Sequence, residues 1–330
     1  MDPSVYPRRL AAARARLDEL DIEALLVPTL ERPLAAACPA APALEIVDWR
    51  DGTDPYAAIS RALPAGAVAV GDRMWAAHLL ALQGLEPSRR WSSSVPVVAP
   101  LRMKKDADEL AALRRAAYGA DAAIAELLEG TVAGRTEREV AAELAALLRS
   151  NGHETAEFTI VGSGPNSASP HHEPTDRTIE TGDVLVLDFG GRVDGYHSDI
   201  TRTVSVGEPS AEVVAVYEVV AAAHTAARAA IGPGVAIEEI ARAARAVITH
   251  AGYGERFLHR TGHGIGLEVH EPPYAVAGDR TTLAAGMTFS VEPGVYLDGR
   301  FGVRIEDIVA VTDDGIEVLN EAPRELRQVA

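Results

Sequence analysis

The sequence contains few residues of several kinds, and each scarcity excludes a class of protein. Its 330 residues include one cysteine, Cys38, so no disulfide can form within the chain, and we expect a reducing compartment, the cytoplasm. No run approaches the roughly 18 apolar residues that a membrane-spanning helix needs. The opening stretch, 1–17, lacks the apolar core and cleavage site of a signal peptide. Basic residues are outnumbered 31 to 48, and this net charge of −17 argues against nucleic acid or an anionic membrane as a partner.

The sequence does contain two pairs of acidic residues that are each placed symmetrically about a turn. Asp188 and Asp199 flank one Asp-Gly turn, and Glu292 and Glu306 flank another. The midpoint of each pair falls inside its turn, so we expect each pair to meet across a β-hairpin, where opposed Cβ atoms are about 5 Å apart. A single such carboxylate would be an ordinary solvated side chain, whereas two matched pairs indicate a common site.

A cluster of four carboxylates could not stay ionised unaided. Two divalent cations would balance its charge, so the pattern predicts a dinuclear metal centre. His263, flanked by glycines between the two pairs, supplies a nitrogen donor. Four oxygen donors and one imidazole favour Mn²⁺ or Co²⁺-type ions, with Mn²⁺ as the first choice and Zn²⁺ as a further alternative.

The motifs around these residues resemble those of the pita-bread-fold metallopeptidases (M24), specifically the proline-specific branch of prolidases and aminopeptidases P. The resemblance extends from about Leu101 to about Thr312 and rests on the stretches GDVLVLDFGG, GYHSDITRTVSVG, HRTGHGIGLEVHEPP, GMTFSVEPGVY and GVRIEDIVAVT. It implies an α+β chain with a pita-bread catalytic domain at residues 101–330. A smaller, shortened creatinase-type α/β domain would occupy residues 1–100.

The resemblance also assigns a role to each of the five donors. It implies that Asp188 chelates one metal ion, that His263 and Glu292 hold the other, and that Asp199 and Glu306 bridge the two. Glu292 is also the expected general base, because as a ligand it would touch the nucleophilic water.

Three other residues acquire roles through the same resemblance. His171, in the stretch SGPNSASPHHEPTDR, would face the substrate, and its neighbour His172 would not, since adjacent residues of an extended segment point to opposite sides. His270 would stabilise the oxyanion, with a surface position as the alternative. Arg304 shares a strand face with Glu306 and would contact the substrate's carboxylate or backbone; a structural ion pair is the alternative.

The remaining sequence predicts a repeated arrangement of helices and hairpins. Capping signatures, Asp106 with Glu109 and Thr136 with Glu139, predict two helices before the first hairpin. Two more, at about 210–230 and 236–250, precede the second. Residues 94–100 are expected to be extended. Relatives of this type carry a few dozen further residues before Pro28, so the N-terminal domain is expected to lack a strand and a helix.

The leading hypothesis is metal-dependent hydrolysis of Xaa-Pro bonds, by a dipeptidase or an aminopeptidase P acting on small peptides with proline in second position. The proline-branch stretch argues against a methionine aminopeptidase, and the full ligand set argues against a metal-free creatinase-type hydrolase. A non-catalytic peptide-binding pseudopeptidase is the alternative of another class. No organic cofactor is expected, because the Gly-His-Gly-Ile-Gly run lacks the dinucleotide-binding spacing. The oligomeric state stays open, with a homodimer as one option.

Overall fold

The computed structural model describes residues 5–26, 50 and 52–330. The chain divides after Arg102 into a first unit, Met1–Arg102, and a second unit, Met103–Ala330. The expected gap before Pro28, the strand and helix missing there, and Cys38 lie outside the described residues.

The first unit contains a three-stranded parallel sheet with the strand order β1-β2-β3. All three residues of the central strand are buried. Parallel strands need a connecting segment between them, and helices provide it here. The elements are α1 (Val5–Glu19), β1 (Ala24–Leu26), α2 (Tyr56–Ala62), β2 (Val68–Val70), α3 (Ala76–Leu85) and β3 (Trp91–Ser93).

The segment after β3 corrects one sequence prediction, since residues 94–100 are not extended. They belong to helix α4 (Val95–Met103), whose first turn is closed by bonds from the N–H groups of Val97 and Val98 to the carbonyl of Ser94. Pro96 fits this turn because a first-turn residue needs no N–H partner. Val97 is fully buried, and burial of this apolar face outweighs the extended preference of the valine- and proline-rich sequence.

The second unit begins with the two helices that the capping signatures predicted. They are α5 (Ala107–Leu127) and α6 (Glu137–Ser150), and both capping boxes are present. The two later helices are α7 (Ala211–Ala229) and α8 (Glu238–His250). The predicted helix order is therefore confirmed. None of the helices in the described part of the chain is both long and apolar enough to cross a membrane.

The strands of the second unit form two large sheets and a small one. One large sheet has the order β15-β7-β5-β4, with β6 added to β5, and the other has the order β14-β13-β10-β8-β9. Strands β11 and β12 form a separate two-stranded ribbon. The strands are β4 (Thr155–Ser163), β5 (Val184–Val193), β6 (Tyr196–His197), β7 (Ile200–Val206), β8 (Gly262–Gly264), β9 (Glu271–Ala275), β10 (Thr288–Val291), β11 (Gly294–Leu297), β12 (Phe301–Arg304), β13 (Asp307–Val311), β14 (Ile316–Val318) and β15 (Arg327–Val329).

Each large sheet is covered by one pair of helices, which gives the second unit its repeated organisation. Residues of α5 and α6, among them Leu144, pack on Leu187 of β5 in one apolar cluster. Residues of α7 and α8, among them Val220, pack on Phe289 of β10 in a second cluster. The second unit thus has an α+β fold in two similar halves, and each half carries one of the two acidic pairs.

Candidate metal centre and substrate cavity

The first hairpin carries Asp188 and Asp199, but not directly opposite each other. Its turn consists of Asp194 and Gly195, which both have positive φ angles, 51° and 82°, as a type I′ turn requires. This turn pairs Asp188 of β5 with Thr201 of β7, so the expected opposition of the two aspartates is wrong by two residues. The two carboxylates still interact, because Asp188 contributes to the raised pKa of Asp199.

The second hairpin places Glu292 directly across from Glu306. Val291 pairs with Asp307 on one side of them, and β11 pairs with β12 in the same register on the other. The two glutamates occupy the short break between these ladders. Their predicted opposition is confirmed.

The two halves of the second unit meet at Thr201 and Glu306. The backbone N–H of Glu306 donates to the Thr201 carbonyl at 3.1 Å, and Oγ1 of Thr201 donates to Oε2 of Glu306 at 2.6 Å. Nη1 of Arg202 donates to the carbonyls of both residues, at 3.0 and 2.6 Å. The side chain of Glu306 is therefore held by a residue of the other half.

His263 projects from β8 between two glycines that permit close packing. A Cβ atom at Gly262 or Gly264 would lie 1.8 or 2.3 Å from a neighbouring carbonyl oxygen. Nδ1 of His263 donates to the Gly264 carbonyl at 3.1 Å, which leaves the lone pair on Nε2. This nitrogen lies 3.6 Å from Oδ2 of Asp199 and 3.5 Å from Oε1 of Glu292. Burial, followed by the proximity of His270, lowers the pKa of His263 to about 3, so its imidazole is neutral and can bind a metal.

The arrangement of donors fits a divalent cation. One donor atom each of Asp199, His263 and Glu306 lies within 4.8 Å of the others. Oδ1 of Asp188 and Oε1 of Glu306 are buried and have no hydrogen-bond partner among the residues that the structure describes. Buried polar atoms are nearly always paired, so two bare carboxylate oxygens in one cluster indicate a missing positive partner.

The electrostatics of the cluster lead to the same conclusion. Burial and then the charges of Glu306 and Asp188 raise the pKa of Asp199 well above its ordinary value. Burial and then the charges of Glu292 and Asp188 do the same for Glu306. Burial raises the pKa of Glu292 to about 7, although Arg304 opposes the rise. One guanidinium therefore does not compensate four carboxylates, and oxygen-binding cations would.

Arg304 is almost fully buried, with 2% of its surface exposed. Its Nη2 donates to Oδ2 of Asp188, and its Nη1 donates to the Tyr296 hydroxyl at 2.6 Å and to the Pro170 carbonyl at 3.2 Å. Its Nε donates to Oγ1 of Thr201 at 3.1 Å. In this structure the guanidinium thus pairs with one of the five proposed donors, and its side chain also lines the cavity described next.

All eight residues that the sequence proposed for the site line one cavity of about 940 Å³. His171 borders it between Pro170 and Glu173, whereas Nε2 of His172 donates to Glu137 at 2.8 Å. The two histidines therefore have different surroundings. The lining residues that were proposed from sequence are His171, Asp188, Asp199, His263, His270, Glu292, Arg304 and Glu306.

His270 lies beside the metal-binding histidine candidate. Its ring meets that of His263 edge-on, with centroids 4.2 Å apart and an interplanar angle of 87°. Burial, followed by Arg260 and His171, lowers the pKa of His270. His270 is thus exposed to solvent, as the alternative interpretation held, and it also lines the cavity beside His263.

Sequence reasoning missed His259 and Tyr296. Nδ1 of His259 donates to the Arg260 carbonyl at 2.7 Å, so Nε2 accepts from the Tyr296 hydroxyl at 2.8 Å, and that oxygen accepts from Arg304. Burial and then Arg304 lower the pKa of His259 to about 3. The spacing of His259 four residues before His263 was the available signal. Tyr296 gave none, since its hydrogen bond with His259 joins positions 37 residues apart.

The comparisons with known proteins identify the family. The sequence model of metallopeptidase family M24 matches residues 111–313, more than half of the chain. The chain belongs to metallopeptidase family M24. It is accordingly a peptidase, and the expected pita-bread fold and the prolidase and aminopeptidase P branch are confirmed.

Three relatives illustrate the similarity. A protein of Mycobacterium tuberculosis described as "Probable dipeptidase PepE" is 42% identical over 367 aligned positions, covering 98% of this chain and 97% of the relative. The Xaa-Pro dipeptidase of Pyrococcus furiosus is 42% identical over 231 positions, covering 70% of this chain and 66% of the relative. The crystal structure of dipeptidase PepE from Mycobacterium ulcerans matches with a TM-score of 0.94 at 40% identity, covering 100% of this chain and 99% of that one. The first alignment is longer than the 330 residues of this chain, so that relative has residues without a counterpart here.

Proposed function

We propose that this M24 peptidase hydrolyses Xaa-Pro bonds in small peptides with a pair of divalent metal ions. The observation that carries the proposal is the buried cluster in the cavity wall, where two carboxylate oxygens lack a hydrogen-bond partner in the described part of the chain. The relatives named as dipeptidase and Xaa-Pro dipeptidase support the same reaction. The domain from about residue 101 to the C-terminus would be the catalytic one, and residues 1–100 the smaller domain.

The ions would be held by the five clustered side chains. Asp199 and Glu306 would bridge them, Asp188 would chelate one, and His263 with Glu292 would bind the other. This donor set favours Mn²⁺, with Co²⁺ and Zn²⁺ as alternatives. When bound, such ions lower the pKa of a water molecule and polarise the scissile carbonyl group.

Proton transfer falls to Glu292. Its Oε1 lies 3.5 Å from Nε2 of His263, so it borders the position that a nucleophile at the cluster would occupy. We assign it as the general base that takes the proton of the attacking water and delivers it to the departing proline nitrogen. That nitrogen needs the proton because it would otherwise have to leave as an amide anion, which is a very poor leaving group.

The other lining residues would bind and orient the peptide. His270, beside His263, would donate a hydrogen bond to the oxygen that becomes negatively charged. His171 would contact the substrate around the proline from its own place in the cavity lining. Arg304 is buried next to Asp188 and lines the cavity. There it would contact the substrate's carboxylate or backbone.

A comparison of Ala-Pro, Ala-Pro-peptide and Ala-Ala substrates with Mn²⁺ supplied tests the function. Cleavage of the first or second well above the third supports proline specificity, and their ratio decides between dipeptidase and aminopeptidase activity. Equal cleavage of Ala-Ala and Ala-Pro would contradict the proposal.

The alternatives differ in measurable ways. A methionine aminopeptidase-like enzyme would release methionine from peptides without proline. A non-catalytic peptide-binding protein would bind no metal, whereas metal analysis of a peptidase should give about two ions per chain. A cytoplasmic location and a homodimer remain predictions.

A further inference from the structure

Glu137 is a buried carboxylate that lies outside the metal cluster. It is the first residue of α6, and none of its side chain is exposed to solvent. Burial alone would raise the pKa of Glu137, but hydrogen bonds from Ser163, His172 and Thr175 outweigh it and hold the pKa at about 2. The group is therefore ionised, and the hydrogen bonds that stabilise its charge come from a single neighbouring segment.

That segment is the stretch Ser163–Thr175, which carries His171. Oε1 of Glu137 accepts from the N–H and Oγ of Ser163 at 2.8 and 2.7 Å and from Nδ2 of Asn166 at 3.0 Å. Oε2 accepts from Nε2 of His172 at 2.8 Å and from the N–H and Oγ1 of Thr175 at 3.0 and 2.7 Å. One carboxylate thus binds both ends of the segment, Ser163 and Thr175, and two residues between them, Asn166 and His172.

The other side of the segment is fixed by β12. The N–H of Gly302 donates to Oγ of Ser167 at 2.9 Å, and Nη1 of Arg304 donates to the Pro170 carbonyl at 3.2 Å. Pro170 and His172, the two neighbours of His171, are therefore anchored to different partners, Arg304 and Glu137. The His171 ring makes no hydrogen bond to any residue that the structure describes, and it borders the cavity.

From these contacts we propose that Glu137 is a positioning residue that fixes the Ser163–Thr175 segment so that the His171 imidazole is presented to the substrate. This proposal rests on the substrate-binding role given to His171 under the proposed function. Glu137 touches neither the substrate cavity nor the metal cluster, so it acts through the segment. Charged hydrogen bonds are the strong ones, which suits a carboxylate to hold a loop that has little regular structure.

The test is a double-mutant cycle between Glu137→Gln and His171→Ala. The glutamine keeps the shape but presents an NH₂ group to donors that need an acceptor. We expect it to lower kcat/KM for Ala-Pro by about 10- to 100-fold, the scale seen for residues that orient catalytic groups. In the His171→Ala background the same change should cost less than about 3-fold, because the group that it positions is already gone. Bound metal should stay at the wild-type level in every variant.

Glu139→Gln is the matched control. Glu139 lies in the same helical turn and completes the capping box through bonds to Thr136, but it makes no bond to the Ser163–Thr175 segment. If the loss came only from a weakened α6, this control would reproduce it. Additive losses of Glu137→Gln and His171→Ala, or an equal loss in Glu139→Gln, would overturn the proposal.

Two milder variants keep the test decisive if Glu137→Gln does not fold. Thr175→Val removes the Oγ1 donor with little change of shape, and Asn166→Ala removes the Nδ2 donor. Each should lower kcat/KM several-fold in the wild-type background and not in the His171→Ala background. Losses that are equal in both backgrounds, or no loss at all, would overturn the role of Glu137.

The two proposals fail in different ways. If wild-type protein cleaves Ala-Ala as well as Ala-Pro, the proline-specific function is wrong. If proline specificity and the His171→Ala loss are found but Glu137→Gln behaves like wild type, the positioning role alone is wrong.

Discussion

Arg304 donates a hydrogen bond to one oxygen of Asp188, and the other, Oδ1, is buried and bonded to none of the residues described. An unsatisfied buried polar group costs about 1–3 kcal/mol, and the cost is larger for a charged one. The guanidinium therefore satisfies only half of this carboxylate. The site should be more stable when a cation binds the other oxygen.

We expect Mn²⁺ to raise the melting temperature of chelator-treated protein. A ligand that binds only the folded state stabilises it by about 2.7 kcal/mol at one hundred times its Kd. Differential scanning calorimetry over a series of Mn²⁺ concentrations measures the effect. A melting temperature that is independent of added metal would contradict the metal site.

Chelation should abolish peptidase activity, and Mn²⁺ or Co²⁺ should restore it better than Mg²⁺. The reason is the imidazole of His263, since Mg²⁺ prefers oxygen ligands and several retained waters. Activity after dialysis against chelator, followed by addition of each ion, tests this. Undiminished turnover in demonstrably metal-free protein would refute it.

Asp199→Asn should remove one metal ion and lower kcat by orders of magnitude. The substitution keeps the volume but removes a negative charge from the group of donors formed with His263 and Glu306. Metal content by elemental analysis and kcat for Ala-Pro are the measurements. A variant that keeps both ions and near-normal turnover would show that Asp199 does not bridge.

His171→Ala should cut kcat/KM for Xaa-Pro substrates by roughly 10²-fold with metal content unchanged, the scale of one positioned hydrogen-bonding group. His172→Ala should have a much smaller kinetic effect, within a few-fold. It removes a bond to Glu137, so it should cost about 1–2 kcal/mol of unfolding free energy instead. Kinetics and urea unfolding of both variants test the pair, and a larger kinetic loss for His172→Ala would show that the wrong histidine was chosen.

The contribution of Glu137 to stability should disappear at acid pH. Its pKa is lowered from an ordinary 4.5 to about 2, so the folded state holds the ionised form more strongly than the unfolded state does. The contribution is complete above about pH 4.5 and is lost as the pH falls towards 2, with a size of about 3 kcal/mol at most. The difference in unfolding free energy between wild type and Glu137→Gln should therefore be larger at pH 7 than at pH 2.5. A difference independent of pH would contradict the ionised, hydrogen-bonded state.

Counting along the sequence predicted one hairpin correctly and misplaced the other for a physical reason. Glu292 and Glu306 are symmetric about Gly299, and no bulge disturbs the count between them. In the first hairpin the Asp194-Gly195 turn sets the centre of the register, and it lies one residue beyond the midpoint of Asp188 and Asp199. A turn-type argument could have corrected this from sequence.

Other features could not be predicted because they depend on contacts between distant parts of the chain. Residues 95–103 are helical and bury Val97, and the local sequence pattern does not predict this burial. The chain of hydrogen bonds from His259 through Tyr296 to Arg304 joins the segment before β8 to the β11–β12 ribbon. By contrast, the capping boxes of α5 and α6 were predictable because each is complete within four residues.

The junction of Thr201 with Glu306 would make the proposed metal centre sensitive to how the two halves of the second unit pack together. Asp188 and Asp199 come from one half of the second unit, and Glu306 from the other, so neither half alone contains the full donor set. A substitution that loosens the docking of the halves, far from any ligand, would lower metal occupancy before it unfolds either half. Metal content would then report cooperativity between the halves that spectroscopic helix content does not detect.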